Sequence, residues 1–175
     1  YKIGLEMFMA GGYFEFVEWL RSRGKKVFAD LKFFDIPQTV KSAVSALRGR
    51  NIEFVTVHGN DGILRAAAES KGAVKVLAVT ALTSLDEGDL RDLGFQCNVA
   101  DLVLSRARRA LEMVAGQRYL LVFDNFESVT SLPSPTLGGG AGGEGTAAPL
   151  LAFFSGLLAA RWRGLLLFTS RHPLP

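Results

Sequence analysis

Three charged side chains, Asp30, Lys32 and Asp35, occur within six residues at the end of an apolar segment. Residues 27–31 otherwise have the composition of a buried strand. Because strand side chains alternate between two faces, Asp30 and Lys32 point the same way. A lysine between two carboxylates is held in its charged form, and groups of this kind gather at functional sites. An ion-paired strand end without chemistry is the alternative, since structural ion pairs also perturb titration.

Apolar segments rich in β-forming residues recur along the first part of the chain, at 1–5, 26–32, 53–58 and 74–80. Amphipathic helical patterns lie between them. Strands and helices that alternate at this spacing predict an α/β fold with βα units and a parallel sheet. In such a sheet the functional residues lie at the carboxyl ends of the strands. The side chains predicted to meet there are Asp30, Lys32, Asp35, His58 and Thr83.

Helical periodicity predicts which side chains of three helices face the core. The expected apolar faces comprise Phe14, Val17, Trp19 and Leu20 in the first helix, Ile36, Val40, Val44 and Leu47 in the second, and Ile63, Leu64, Ala67 and Ala68 in the third. Pro37 suits the first turn of the second helix, where its missing N–H has no cost.

The composition is that of an ordinary globular protein, since 49% of the 175 residues are hydrophobic and 21% are charged. The net charge is +3 without a dense basic run, so nucleic-acid binding gains little support and a small anionic ligand fits equally well. The lone Cys97 cannot form an intramolecular disulfide, and no metal-ligand spacing surrounds it. No apolar run reaches the roughly 18 residues of a membrane span and no signal peptide is recognisable, so we expect a cytoplasmic protein.

The chain changes character near residue 112. Residues 1–112 hold 30 charged side chains and residues 113–175 hold 7. The later part is apolar and glycine-rich: residues 137–146 predict a flexible loop, 118–123 and 164–169 two buried strands, and 148–160 a helix. We therefore predict two domains, 1–112 and 113–175. The chain also begins inside a predicted strand and without Met, which indicates a fragment.

The motifs of the first domain resemble those of one enzyme family. They are KIGLEMF at 2–8, DLKFFDIPQT at 30–39, VTVHG at 55–59, AVTALTS at 78–84 and DLRDLGF at 89–95. In this order they are similar to orotidine 5'-phosphate decarboxylase, and the D-x-K-x-x-D signature followed by Ile36 and Pro37 is specific. The resemblance implies a (β/α)₈ TIM barrel, of which residues 1–112 supply about four βα units. It also implies a homodimeric enzyme that uses no metal or organic cofactor.

The resemblance implies roles for individual residues in converting orotidine monophosphate to uridine monophosphate. Decarboxylation leaves a carbanion on the pyrimidine ring, which an adjacent ammonium stabilises and protonates. Lys32 is the implied proton donor, Asp30 orients it and opposes the substrate carboxylate, and Asp35 reaches into the partner subunit's site. His58 fits either a site contact or a capped strand end. The implied substrate contacts are Lys2, Asp30, Lys32, Asp35, Ile36, Thr39 and Thr83.

Two parts of the family's pattern are missing from this sequence. The ribose-binding aspartate of the family lies on a strand that precedes the first strand here. The family's phosphate-binding arginine has no match after residue 112. Because phosphate binding supplies energy that such an enzyme uses to raise turnover, we expect this chain alone to be a poor or inactive catalyst.

The second domain resembles a different family. RYLLVFDNFE at 118–127 and LLLFTSR at 165–171 are similar to the Walker B and sensor strands of NB-ARC/STAND-type signal-transducing ATPases. The resemblance implies a small P-loop-NTPase-like βαβ fragment in which Asp124 holds Mg²⁺ and Arg171 senses the nucleotide phosphate. No Walker A motif G-x-x-x-x-G-K-[ST] occurs, so nucleotide hydrolysis is not predicted. Two core strands of an unassigned α/β segment are the alternative.

Two partial families that meet near residue 112 predict a chimeric chain. The leading hypothesis is an orotidine 5'-phosphate decarboxylase whose chemistry is carried by Asp30, Lys32 and Asp35. The alternative is a non-catalytic nucleotide-binding or regulatory fragment of a signal-transducing ATPase. A third possibility is that neither part binds a ligand, because an incomplete barrel exposes strand edges that favour aggregation.

Overall fold

The structure is a computed structural model that describes residues 1–113 in full and the backbone of residues 120–123 and 165–168. The chain divides into two compact units. The first comprises Tyr1–Leu82 and Ser105–Ala115, and the second comprises Thr83–Leu104 and Gly116–Pro175. The predicted domain boundary at residue 112 rests on composition and family resemblance, whereas these units are defined by compactness. The units therefore do not test the predicted boundary, which stays a prediction.

The first unit is built on a four-stranded parallel sheet. Its elements are β1 (Lys2–Gly4), α1 (Leu5–Met9), α2 (Tyr13–Arg21), β2 (Val27–Phe33), α3 (Pro37–Ala46), β3 (Ile52–His58), α4 (Asp61–Ser70) and β4 (Lys75–Val79). The strands lie in the order β1-β2-β3-β4, and each neighbouring pair is parallel. The predicted α/β fold with a parallel sheet is confirmed, and every strand end lies within one residue of its predicted position.

Helices α2, α3 and α4 pack against one face of this sheet. Alternate residues of the two central strands face the helices and are at most 8% exposed: Val27, Ala29, Leu31, Val55 and Val57. The intervening residues, among them Asp30, Lys32 and Thr56, lie on the opposite face. The alternation of β2 and β3 thus separates the apolar core from the polar residues, as the sequence predicts.

The predicted helix faces are confirmed at most positions and wrong at three. Val17, Leu20, Val40, Val44, Leu47, Ile63 and Ala67 are buried, and Phe14 and Leu64 are half-buried. Trp19 is 49% exposed, because it follows Val17 by two residues and so points about 200° away around the helix. Its ring instead stacks on Phe16 and lies 3.9 Å from the Arg23 guanidinium. Ile36 precedes α3 and is 67% exposed, and Ala68 is exposed beside the buried Ala67.

The second unit contains α5 (Glu87–Asp92) and the paired strands β5 (Leu120–Phe123) and β6 (Leu165–Phe168). A capping box begins α5, since Asp86 accepts from the Asp89 backbone N–H at 2.8 Å and Asp89 accepts from the Asp86 N–H at 3.0 Å. Strands β5 and β6 pair in parallel and confirm the positions predicted at 118–123 and 164–169. The predicted helix 148–160 and loop 137–146 lie outside the described residues. Helix α6 (Val99–Met113) contributes residues to both units.

Candidate active site

Asp30 joins two lysines into one ion-paired group at the sheet face opposite the helices. The Lys32 ammonium donates to Asp30 Oδ1 at 2.9 Å, and the Lys2 ammonium of β1 lies 3.5 Å from Asp30 Oδ2. The Asp30 side chain is 11% exposed, whereas the side chains of Lys32 and Lys2 are 42% and 59% exposed. These three residues are called the Asp30 group below. The group therefore consists of two solvent-exposed ammonium groups ion-paired with one mostly buried carboxylate.

The backbone of β2 is irregular where this group lies. Two extra residues occur in β2 between Ala29 and Phe33, so residues 30–32 stand opposite the single residue Thr56 of β3. Lys32 adopts a left-handed conformation with φ of 46°. Such a conformation costs a residue with a Cβ about 1–2 kcal/mol. Strained backbone of this kind clusters at functional sites, so the distortion adds to the case for function.

The hydroxyl of Thr56 connects the two strands at this irregularity. Its Oγ1 accepts from the Lys32 backbone N–H at 2.8 Å and donates to Asp30 Oδ1 at 3.0 Å. Thr56 is 6% exposed, so both bonds are shielded from water. Thr56 is the second residue of the VTVHG motif at 55–59, but the motif does not assign it a role. A further signal is its hydroxyl in an otherwise apolar stretch of β3, next to the strand that bears Asp30 and Lys32.

Asp30 is anionic at neutral pH. Burial alone would raise the pKa of its carboxyl, but hydrogen bonds from Lys32 and Thr56, with the charges of Lys32 and Lys2, outweigh burial and lower that pKa below its ordinary value. The nearby Tyr13 responds in the opposite direction: burial raises the pKa of its hydroxyl, and the negative charge of Asp30 raises it further. The Asp30 group thus combines one anion with two cations.

A cavity of about 590 Å³ opens beside the Asp30 group. All three members of the group line it, together with apolar side chains such as Leu5 and Phe16. This size is typical of a small-molecule site, in which apolar walls surround a few polar groups. The cavity lining carries the ammonium groups of Lys2 and Lys32 beside the carboxylates of Asp30 and Glu6, so the cavity offers a ligand both cationic and anionic contacts.

His58 lies half-buried at the carboxyl end of β3. Its imidazole stacks on the Phe34 ring, with the ring centroids 4.4 Å apart. Burial lowers the pKa of His58, and the positive charges of Arg106 and Lys32 lower it further. Arg106 itself donates to the Thr80 carbonyl oxygen at 2.7 Å. A neutral His58 therefore holds the segment after β2 through Phe34, which fits both predicted roles for this residue.

Asp35, Ile36 and Thr39 lie exposed at the start of α3. The Ile36 backbone N–H donates to Asp35 Oδ1 at 2.7 Å, just before the helix begins at Pro37. Within residues 1–113, no hydrogen bond or ion pair joins any of these three residues to Asp30 or Lys32. The structure of one chain therefore does not place Lys32 between two carboxylates, which corrects the expectation from spacing. The loop after the strand directs Asp35 into solvent instead.

The remaining predicted site residues lie elsewhere. Thr83 is exposed in the turn that follows β4 and belongs to the second unit. Asp124 and Arg171, the predicted Mg²⁺ and phosphate contacts of the ATPase-like segment, lie outside the described residues. Among the described residues, no three His, Cys, Asp or Glu side chains lie close enough together to hold a metal ion. In the same part of the chain, no helix is both long and apolar enough to cross a bilayer.

A sequence model of the family described as orotidine 5'-phosphate decarboxylase / HUMPS matches residues 1–154. The chain belongs to this family. The match extends beyond residue 112 and so includes residues predicted to belong to the second domain.

Individual decarboxylases agree with this assignment over a shorter stretch. The orotidine 5'-phosphate decarboxylase of Methylococcus capsulatus (strain Bath) is 66% identical over 111 residues, which cover 63% of this chain and 46% of that protein. The chain spans about half the length of the curated relatives it matches.

Two solved structures show the same fold. An uncharacterized conserved protein from Geobacillus kaustophilus is 25% identical, with a TM-score of 0.65 over 95% of this chain and 77% of that one. The orotidine 5'-phosphate decarboxylase from Lactobacillus acidophilus is 23% identical, with a TM-score of 0.61 over 95% of this chain and 76% of that one. The α/β architecture predicted from the sequence is therefore that of the decarboxylase family.

Proposed function

We propose that this chain carries the reacting centre of an orotidine 5'-phosphate decarboxylase, which converts orotidine monophosphate to uridine monophosphate. The observation that carries the proposal is the Asp30 group: a shielded carboxylate fixes an exposed lysine ammonium beside a cavity of about 590 Å³. The family's sequence pattern names the substrate, and the two ammonium groups suit its negative charges.

The reaction breaks the bond between the pyrimidine ring and its carboxylate. Carbon dioxide leaves, the bonding electron pair remains on the ring carbon, and that carbon takes a proton from the Lys32 ammonium. The ammonium also stabilises the negative charge while it develops. Asp30 holds Lys32 through its 2.9 Å hydrogen bond and opposes the substrate carboxylate, a repulsion that disappears when carbon dioxide leaves.

The further substrate contacts and the assembly belong to the same proposal. Lys2 shares Asp30 with Lys32 and can reach the same ligand from β1. Asp35 is exposed and forms no ion pair within the described residues, which supports its reaching a partner subunit's site in a homodimer. Ile36, Thr39 and Thr83 are the remaining proposed contacts. The four parallel strands in sequential order support the proposal that residues 1–112 form part of a (β/α)₈ barrel. A cytoplasmic location stays a prediction.

The test compares Lys32→Ala with Lys75→Ala in the full-length natural protein, with formation of uridine monophosphate as the readout. Lys75 is a matched control because it also pairs with a carboxylate, Glu53, at the other end of the sheet. We expect Lys32→Ala to lower kcat by at least about 10³-fold, since it removes both the proton donor and the stabilising charge. Lys75→Ala keeps the wild-type rate. Turnover that survives Lys32→Ala contradicts the proposal.

A second candidate concerns the last part of the chain. It is a small nucleotide-binding fragment of the ATPase type, which rests on the resemblance of residues 118–127 and 165–171 to Walker B and sensor strands, and the parallel pairing of β5 with β6 is compatible with it. Under this candidate, ATP with Mg²⁺ raises the melting temperature and Asp124→Ala abolishes the rise. A uridine monophosphate analogue raises it under the decarboxylase proposal. No shift with ATP in the wild-type protein excludes the second candidate.

A further inference from the structure

The irregular pairing of β2 with β3 leaves a backbone donor without its regular partner. In a regular parallel ladder, the N–H groups of β2 donate to carbonyl groups of β3. Here residues 30–32 stand opposite Thr56 alone, and the Lys32 N–H donates to the Thr56 hydroxyl at 2.8 Å. The hydroxyl thus replaces a backbone acceptor at the point where Lys32 takes its left-handed conformation.

The same hydroxyl closes a ring of hydrogen bonds that begins and ends on Lys32. It accepts from the Lys32 N–H and donates to Asp30 Oδ1 at 3.0 Å, and Asp30 Oδ1 also accepts from the Lys32 ammonium at 2.9 Å. The Lys32 backbone is therefore bonded directly to Thr56 of β3, and the Lys32 side chain is linked to Thr56 through Asp30. Because Thr56 is 6% exposed, water has little access to replace either bond.

We propose that Thr56 is a positioning residue, whose hydroxyl holds the left-handed backbone of Lys32 and the carboxylate of Asp30 so that the Lys32 ammonium is aimed at the reacting carbon. The inference rests on the proposed function for what that ammonium does. Thr56 touches no substrate in this account and acts through the two residues it binds. Thr56 contributes by orienting the Lys32 ammonium, and the rate of proton transfer depends strongly on that orientation.

The chemistry of the site requires a group that donates and accepts at once. A hydroxyl does both, whereas a valine of the same shape does neither. Without it, the Lys32 N–H has no acceptor and one carboxylate oxygen of Asp30 loses a donor. Both the strained backbone and the salt bridge are then free to relax, and Lys32 takes other orientations.

The test uses Thr56→Val, which removes the hydroxyl, and Thr56→Ser, which retains it, in the full-length natural protein. Ser70→Ala is the matched control, because Ser70 is also a buried hydroxyl, bonded to the Ala66 carbonyl at 2.7 Å within α4. We expect Thr56→Val to lower kcat about 10- to 100-fold with little change in KM, as a small misplacement of a reacting group does. Thr56→Ser recovers most of that loss, and Ser70→Ala keeps the wild-type kcat.

The pH profile separates positioning from a general loss of stability. The groups that face Asp30 are Lys2, Lys32, Thr56 and Tyr13. The Thr56 hydrogen bond helps to lower the pKa of Asp30, so Thr56→Val moves the acid limb of the kcat profile to higher pH. Thr56→Ser and Ser70→Ala leave that limb in place. An unchanged kcat in Thr56→Val, or an equal loss in the valine and serine variants, overturns the inference.

Amide hydrogen exchange gives a readout that does not depend on activity. The Lys32 N–H exchanges slowly in the wild type and in Thr56→Ser, and quickly in Thr56→Val, because only the hydroxyl shields it. Equal protection in all three overturns the inference, even if the protein shows no decarboxylase activity and the proposed function fails. If Thr56→Val does not fold, Thr56→Ala, which removes the same hydroxyl without a second methyl group, replaces it in both measurements.

Discussion

Two ion-paired groups of the same composition lie at opposite ends of the four-stranded sheet. One is the Asp30 group. The other, called the Glu53 group here, consists of Glu53 near the amino end of β3 with two lysines, Lys26 and Lys75. The Lys26 ammonium lies 3.8 Å from Glu53 Oε2, and the Lys75 ammonium donates to Glu53 Oε1. Each group has one carboxylate and two lysines, so charge alone does not distinguish a functional site from a structural one.

The two groups differ in their backbone and in how they are bonded. Glu53 is itself an extra residue in the β2–β3 pairing, so both groups lie at irregularities of the same ladder. The Glu53 side chain is 25% exposed and that of Asp30 is 11% exposed. The Asp30 group alone of the two has a left-handed lysine and a buried hydroxyl between the strands. The positive φ of Lys32 and the buried hydroxyl of Thr56, rather than charge or ladder irregularity, distinguish the proposed reacting centre.

The largest expected contrast is in turnover. Asp30→Asn removes the anion that fixes Lys32, and we expect kcat to fall by at least about 10²-fold, because the ammonium loses its orientation and the substrate carboxylate loses its opposing charge. Glu53→Gln makes the same chemical change at the other end of the sheet and leaves kcat unchanged. Steady-state rates of uridine monophosphate formation by the two variants measure the contrast. Equal losses in both variants mean that the two groups do not differ in function.

Much of the fold follows from local sequence pattern. The four strands of the first sheet lie within one residue of their predicted ends, because alternation and apolar runs are local signals. The common face of Asp30 and Lys32 follows from the same alternation. The wrongly assigned Trp19 shows the limit of this approach, since apolar character alone does not decide which side of a helix is covered.

The finer geometry of the site is not a local property. The positive φ of Lys32 and the hydrogen bonds of Thr56 both depend on how β2 pairs with β3. Lys32 and Thr56 are 24 positions apart in the chain. Lysine has no preference for the left-handed region, so no residue type marks it. The exposed position of Asp35 likewise depends on the path of a loop rather than on its spacing from Lys32.

The backbone difference between the groups predicts opposite effects of glycine. At Lys32, φ is 46°. The free energy of unfolding of Lys32→Gly should therefore exceed that of Lys32→Ala by about 1 kcal/mol, because glycine adopts this conformation without strain. At Lys75, a strand residue without positive φ, Lys75→Gly should be less stable than Lys75→Ala by about 0.5–1 kcal/mol. Urea denaturation of the four variants gives both differences. The same sign at both positions contradicts a strained Lys32.

The smallest expected contrast is in the pH dependence of stability. Burial, with the charges of Arg106 and Lys32, lowers the pKa of His58 below 6.5, so the unfolded chain binds a proton more readily than the folded one. The stability from a neutral His58 is complete above pH 6.5 and is lost as the pH falls below that value. The pKa of Glu53 is lowered from 4.5, chiefly by its hydrogen bond from Lys75, so its contribution is lost only at lower pH.

Melting temperatures at pH 7.5 and 5.5 therefore separate the two ends of the sheet. His58→Gln should reduce the loss of stability on acidification, since glutamine keeps a polar side chain but takes up no proton in this range. Glu53→Gln should leave that loss as it is in the wild type, because Glu53 stays ionised throughout. If the two variants respond alike, burial and the positive charges of Arg106 and Lys32 do not lower the pKa of His58, and the two ends of the sheet do not differ in this respect.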